Sequence, residues 1–190
     1  MPSSFTHAFA GCVIARHCLL KANSFRLIAL CIGVAIFPDA DVVMHFCGFP
    51  DTHMLGHRGI THSIPFAVLF ALLLTPCGAR FVNLRSARWK LFFLLLLCLL
   101  SHPMLDAFTN SNTGVALLAP FDNSRFKVPN PLLIDSPLVD EFYGIAAVLA
   151  LSSEFCLIWF PYLLYLYWRP NSLPSSVRRL ARAVGRNFIS

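Results

Sequence analysis

The sequence predicts an all-α membrane bundle of four or five spanning helices, and three observations carry that prediction. Apolar residues make up 57% of the 190-residue chain and charged residues only 13%, whereas a soluble domain carries about 25% charged residues. The apolar residues fall in runs of spanning length, and no Gly/Ser linker or internal repeat divides them. The positive charges, which leave a formal net charge of +6, sit in short clusters beside those runs; membrane topology explains this pattern, so nucleic acid is excluded as a partner and the lipid bilayer is the expected one. The seven cysteines have neither CxxC spacing nor a disulfide framework and read mostly as small buried hydrophobes.

Taken in order, residues 5 to 20 form an apolar helix with His7 near its start and Arg16, His17 and Lys21 at its far end. Sixteen helical residues rise about 24 Å, short of the ~30 Å hydrocarbon core, so this helix crosses only where the bilayer thins or packs inside the bundle. Leu27 to His45 makes a second helix, which Pro38 breaks near Phe37 so that Asp39 and Asp41 stand at its end. A third span runs from Ile64 to Ala79 and is followed by Arg80, Arg85, Arg88 and Lys90. The fourth, Leu91 to Thr109, closes with Ser101-His102-Pro103-Met104-Leu105-Asp106. Residues 110 to 141 read as a structured polar loop. A last span lies within Phe142 to Trp168, kinked at Pro161 and ending in interfacial Trp and Tyr residues. The division is a membrane-embedded domain over residues 1 to 168 and a basic cytoplasmic tail over 169 to 190, whose arginines suit anionic lipid.

The positive-inside rule orients these pieces. Loop 80 to 90 and the tail carry basic residues and no acid, which places both in the cytoplasm and loops 46 to 63 and 110 to 141 outside. His7, Asp39, Asp41, His57, His62, His102 and Asp106 then converge on one non-cytoplasmic face. His102 and Asp106 are four apart and share a helix face. Polar groups at that depth are costly unless they bind something or each other. Imidazoles and carboxylates without a nearby thiolate suit a divalent metal: zinc first, with manganese or iron as alternatives. The predicted ligands are His7, Asp41, His57, His62, His102 and Asp106, and the predicted catalytic residues are Asp39 and Arg58. The set exceeds what one catalytic zinc needs, so some members support the ligands or there is more than one metal. Asp39, Asp41 and Asp106 each remain open as ligand or general base. Arg58 is either a phosphate contact or the ion-pair partner of one of these carboxylates. Thr61, Ser63 and Ser101 are candidate supporting donors, and His17, His45 and His53 read as interfacial or loop residues.

Pro38-Asp39-Ala40-Asp41, Gly56-His57-Arg58-Gly59-Ile60-Thr61-His62-Ser63, Leu100-Ser101-His102 with Asp106 and Thr109, and Gly114-Val115 with Leu117-Leu118 and Pro120 together carry a resemblance. Over roughly residues 1 to 130 the chain resembles the YdjM-type family of LexA-regulated, inner-membrane-associated, predicted metal-dependent hydrolases. Pro103 directly after His102 and Ala119 before the proline depart from that pattern. The resemblance implies a multi-pass inner-membrane hydrolase. The His-x-x-x-Asp element is faintly similar to zinc-dependent phospholipase C and related nucleases, which would favour phosphate esters. The leading reading is hydrolysis, by metal-activated water, of an ester or phosphoester on a small or lipid-linked substrate. The alternative is a non-enzymatic protein whose His/Asp cluster serves as an ion or proton pathway or as a structural metal site. No Gly-x-Ser-x-Gly elbow and no P-loop is present.

Overall fold

A computed structural model describes residues 1–17, 25–84, 88–137 and 144–168. Lys21, Arg85 and the basic tail 169 to 190 lie outside the described residues. Among the described residues, four helical stretches are long and apolar enough to cross a membrane: Phe25–Phe46, Ile64–Phe81, Arg88–Ala107 and Ile145–Trp168. No strand occurs among the described residues, only the isolated bridges Thr109–Leu133 and Val115–Phe126.

Helix α1, Ser4–His17, is too short to be one of the four spans and packs along the next helix instead. Helix α2, Phe25–Ile36, tightens into a 3-10 segment at Phe37–Asp41 and resumes as α3, Val42–Phe46. The change of pitch follows from Pro38, which has no N–H to donate to the carbonyl four residues back. Helix α4, Ile64–Phe81, starts where the Ser63 hydroxyl accepts the Phe66 N–H at 3.2 Å, with proline in the first turn. Helix α5, Arg88–Ala107, continues through Pro103 without a break. The last span divides into α6, Ile145–Glu154, a π-helical turn at Phe155–Trp159 and α7, Phe160–Trp168. The expected kink at Pro161 thus takes the form of a widened turn one step earlier, around Leu157, whose carbonyl the proline leaves without its i+4 donor.

The core lies where α1, α2, α4 and α5 meet and is built from Leu27, Cys31, Val34 and Ala35 of α2, Ala67 and Ala71 of α4, and Leu91, Leu95, Cys98 and Leu99 of α5. Small residues here let the backbones approach closely, which is how helices associate in lipid. Large apolar side chains such as Leu69, Leu72, Leu73, Phe93 and Leu97 point outward, as suits a surface whose solvent is hydrocarbon. The same inversion explains the cysteines, since Cys31 and Cys98 are buried while Cys77 and Cys156 are exposed on spanning helices.

Arg26 donates to the Phe81 carbonyl at 3.5 Å and lies over the Phe81 ring, so the start of α2 adjoins the end of α4. The end of α2 and the start of α4 therefore meet at the opposite end of the bundle. The loop after α5 folds back over that end, with the Ile64 N–H bonded to the Leu117 carbonyl at 2.9 Å and the Ala116 N–H to the Arg58 carbonyl at 3.1 Å.

Candidate metal centre

Three local devices bring the polar residues together. The 3-10 segment turns Asp39 and Asp41 into the protein, and both are buried. Neither is a helix cap, since Asp41 stands at the N-cap of α3 with no capping hydrogen bond. The loop Gly56 to Ser63 is wound so tightly that a Cβ on Gly56 would lie 2.2 Å from the Pro50 carbonyl oxygen, and one on Gly59 2.1 Å from that of Met54. Between them Arg58 adopts a left-handed backbone with φ 61°. That conformation costs a non-glycine residue on the order of 1–3 kcal/mol and persists where surrounding contacts enforce it. Gly59→Ala is expected to push the loop off its carbonyl contact and reduce metal retention while leaving the helices intact; elemental analysis and circular dichroism of the purified variant check both parts. The third device is the last turn of α5, which carries His102 and Asp106 on the face that meets His7 of α1.

His7, His62, His102 and Asp106 are at most 1% exposed. The His7 and His102 rings stack at 3.6 Å between centroids, and His62 meets His102 edge-on at 4.7 Å. Asp106 lies between them, with Oδ1 3.3 Å from His7 Nε2 and Oδ2 3.3 Å from His62 Nε2. Asp39 Oδ1 lies 3.2 Å from His102 Nε2 and 4.0 Å from His62 Nε2. Two trios of ligand atoms result, His7 with His102 and Asp106, and Asp39 with His57 and His62, each within 4.8 Å.

The alignment of these atoms is as telling as their distances. His7 Nε2, His62 Nε2, Asp39 Oδ2 and both oxygens of Asp106 are buried without a hydrogen-bond partner. Buried polar atoms are normally bonded, so a cluster of orphans on facing side chains is where a cation fits. On two of the rings the opposite nitrogen is engaged, His102 Nδ1 lying 2.6 Å from the Ala35 carbonyl oxygen and His62 Nδ1 3.0 Å from Asp41 Oδ2, whereas His7 Nδ1 has no partner. In a neutral ring, donation from Nδ1 leaves Nε2 a lone pair that a cation could take; in this structure His102 Nε2 bonds Asp39 Oδ1 at 3.2 Å. Asp41 also accepts the Thr61 hydroxyl at 2.5 Å and the Arg58 N–H at 3.2 Å, and its Oδ1 lies 2.7 Å from His57 Nδ1. Burial alone would lower the His62 imidazole, but Asp106 and Asp41 hold it up to about 9, so a cation bound at Nε2 would have to displace a proton.

Of the other expected supporting donors, Ser63 caps α4 and Ser101 bonds the Cys98 carbonyl of its own helix. His17 bonds Tyr162 at 2.9 Å, and His45 lies 3.2 Å from Asp51 at an exposed position. Arg58 is only 2% exposed; its Nε lies 3.5 Å from Asp106 Oδ2, and its Nη2 donates to Asp135 at 2.8 Å and Thr109 at 3.4 Å. Sequence reasoning missed Asp135 and Glu154. Glu154 is fully buried in the last span and accepts the Ser3 N–H at 2.6 Å and the Ser3 and Thr6 hydroxyls at 2.5 Å, next to His7. An ionisable group inside an apolar run was the signal that could have found it. Arg125 was likewise missed; it clamps the motif loop by donating to the carbonyls of His53, His57 and Arg58 at 3.1 to 3.4 Å.

The model of the YdjM inner membrane protein family matches residues 1–173. The chain belongs to that family. It is also 34% identical over 176 residues, 89% of this chain and 99% of its relative, to the Inner membrane protein YbcI of Escherichia coli (strain K12). No solved structure matches the chain. With four candidate spans, this YdjM-family member is a multi-pass inner-membrane protein.

Proposed function

We propose that this protein is a membrane-bound metal-dependent hydrolase acting on an ester or phosphoester at the non-cytoplasmic face of the inner membrane. The observation that carries the reading is the set of orphaned ligand atoms on His7, Asp39, His62 and Asp106, buried together with His102. A structural polar network would pair these atoms with each other; here they approach to 3.3 Å without the alignment of hydrogen bonds.

His7, His62, His102 and Asp106 would hold the metal, zinc by the chemistry of the donors, and His57 would join from the Asp39 side. A bound divalent metal lowers the pKa of a coordinated water and so makes a nucleophile available at neutral pH. Asp39, with Oδ2 unpartnered and a side chain that retains 8% exposure, is placed to accept the proton of an attacking water. Asp41 orients His57 and His62, and Ala35 orients His102. Arg58 balances the charge of Asp106 through Nε, and its fixed positive charge beside the cluster would stabilise an anionic oxygen of the substrate. Support for hydrolysis over ion conduction comes from α5, which from Leu91 to Leu100 has no charged residue to continue a relay, while the buried Glu154 of the last span is taken up by Ser3 and Thr6.

The test is a panel of phosphomonoesters, phosphodiesters, carboxylic esters and peptides assayed on wild type and on His62→Ala. Turnover by wild type alone is the expected result. Activity on none of them by metal-loaded, folded protein would overturn the reading, and activity retained by His62→Ala would assign it to another site. The positive-inside orientation is read separately with a topology reporter inserted at Asn112, which the proposal expects outside the cytoplasm.

A further inference from the structure

The flank of the bundle between α2 and α4 is grooved. Leu30, Gly33 and Phe37 on one side and Phe70, Leu74 and Phe81 on the other enclose a hollow of about 420 Å³. A second hollow of about 280 Å³ begins at the same Phe37 and passes Met44, Ile60 and Phe66 to reach Asp41 and Thr61. The two share a wall of near-parallel rings: Phe37 stacks on Phe70 at 4.3 Å and Phe66 on Phe70 at 5.4 Å. Placed end to end along α4, the two hollows form an interrupted groove that runs from Phe81 to Phe66 for about 22 Å, most of the ~30 Å hydrocarbon thickness.

Apolar and membrane-embedded along its shaft, the groove becomes polar only at the end where Asp41 and Thr61 stand against His57 and His62. That sequence of surfaces is the profile of an amphiphile. A void along a spanning helix forfeits dispersion contacts that a hydrocarbon chain restores, and both hollows are of the order of ligand pockets, roughly 300–1,000 Å³. The inner ligands are almost wholly buried, while Asp41, Thr61 and the slightly exposed Asp39 and His57 border the outside. The groove thus leads from the lipid phase to the accessible edge of the cluster.

We infer that the substrate is a lipid, and that its long hydrocarbon chain lies in the α2–α4 groove with its ester or phosphoester head at the His/Asp cluster. The head-group part of this inference rests on the hydrolase reading; the chain-binding part does not. Gly33 supplies the variant, because a Cβ there meets nothing within 4 Å and the residue lies on the groove wall. Gly33→Phe fills the hollow from α2 and Leu74→Trp fills it from α4. The probe is phosphatidic acid with a diazirine in one acyl chain, photolysed with detergent-purified protein and mapped by peptide mass spectrometry, with circular dichroism confirming helicity.

In wild type the label is expected to concentrate on α2 and α4. In either filled variant it falls about tenfold, the occupancy change that ~1.4 kcal/mol of lost contact produces. His62→Ala, which disturbs the cluster and leaves the groove, keeps the label. Where hydrolysis is measurable, filling the groove lowers turnover of a long-chain phosphoester relative to a short-chain soluble one. Label spread evenly over all four spans, or unchanged by both filled variants, overturns the groove whatever the turnover. Label on α2 and α4 with no hydrolysis of any ester supports the chain site and counts against the hydrolase reading alone.

Discussion

Alanine at His62 or at Asp106 is expected to strip zinc from the detergent-purified protein. Both side chains are fully buried within the cluster, and the atoms they turn toward each other, His62 Nε2 and Asp106 Oδ2, are 3.3 Å apart without a hydrogen bond. Asp41→Asn should weaken binding less, by the roughly 10–100-fold typical of losing a group that orients a ligand, because Asp41 acts through His57 and His62. His53→Ala should change nothing, since His53 is exposed and its Nδ1 accepts only the Leu55 N–H. Elemental analysis after dialysis against a graded chelator orders the four variants. Equal metal content in wild type, His62→Ala and Asp106→Ala would leave the cluster a purely structural network.

The second large effect concerns Arg58. Arg58→Met is expected to lower stability by about 3–5 kcal/mol, the range for removing one partner of a buried ion pair. Most of that loss arises at Asp106, which is fully buried, because the Asp135 side chain is 39% exposed and water screens it. Arg58→Lys keeps the charge, but a single ammonium cannot replace the planar fork that reaches Asp106, Thr109 and Asp135 together. Denaturation in detergent separates the two readings of this residue. A folded, metal-bound Arg58→Lys whose turnover on a phosphoester falls roughly 10- to 1000-fold would make Arg58 a substrate contact as well. An Arg58→Met protein as stable as wild type would show that the ion pairs contribute little.

Much of the fold was legible because the bilayer reduces it to length and hydropathy. The runs starting at Leu27, Ile64 and Leu91 and the last span all form helices of spanning length, and Pro38 breaks the second helix where its missing N–H requires. The polar residues were legible as a group for the same reason, since imidazoles and carboxylates at the ends of apolar runs demand partners. What could not be read was how the group divides. Asp39 and Asp41 are two residues apart in a 3-10 turn, and only the rotation of that turn decides which has both oxygens engaged and which keeps an oxygen free. The partners Asp135 and Glu154 come from distant positions and show no spacing relative to the motifs they touch. Their pairing depends on how the loop after α5 folds back and how α1 docks, which are properties of tertiary packing. The kink expected at Pro161 takes the form of a π turn centred on Leu157, a local response to the missing proline N–H whose form the sequence does not specify.

The shortness of α1 has a consequence for biogenesis. A 14-residue helix is poorly suited to hold a transmembrane position by itself, and its docking partners, α2, α5 and Glu154, all emerge from the ribosome after it. His7 therefore precedes in synthesis every element it docks against. Until the final span inserts, Ser3 and Thr6 lack the carboxylate that seats them beside the cluster. Docking of α1 is thus coupled to insertion of the span that carries Glu154, and forms truncated before it lack the contacts that seat Ser3 and Thr6 beside His7.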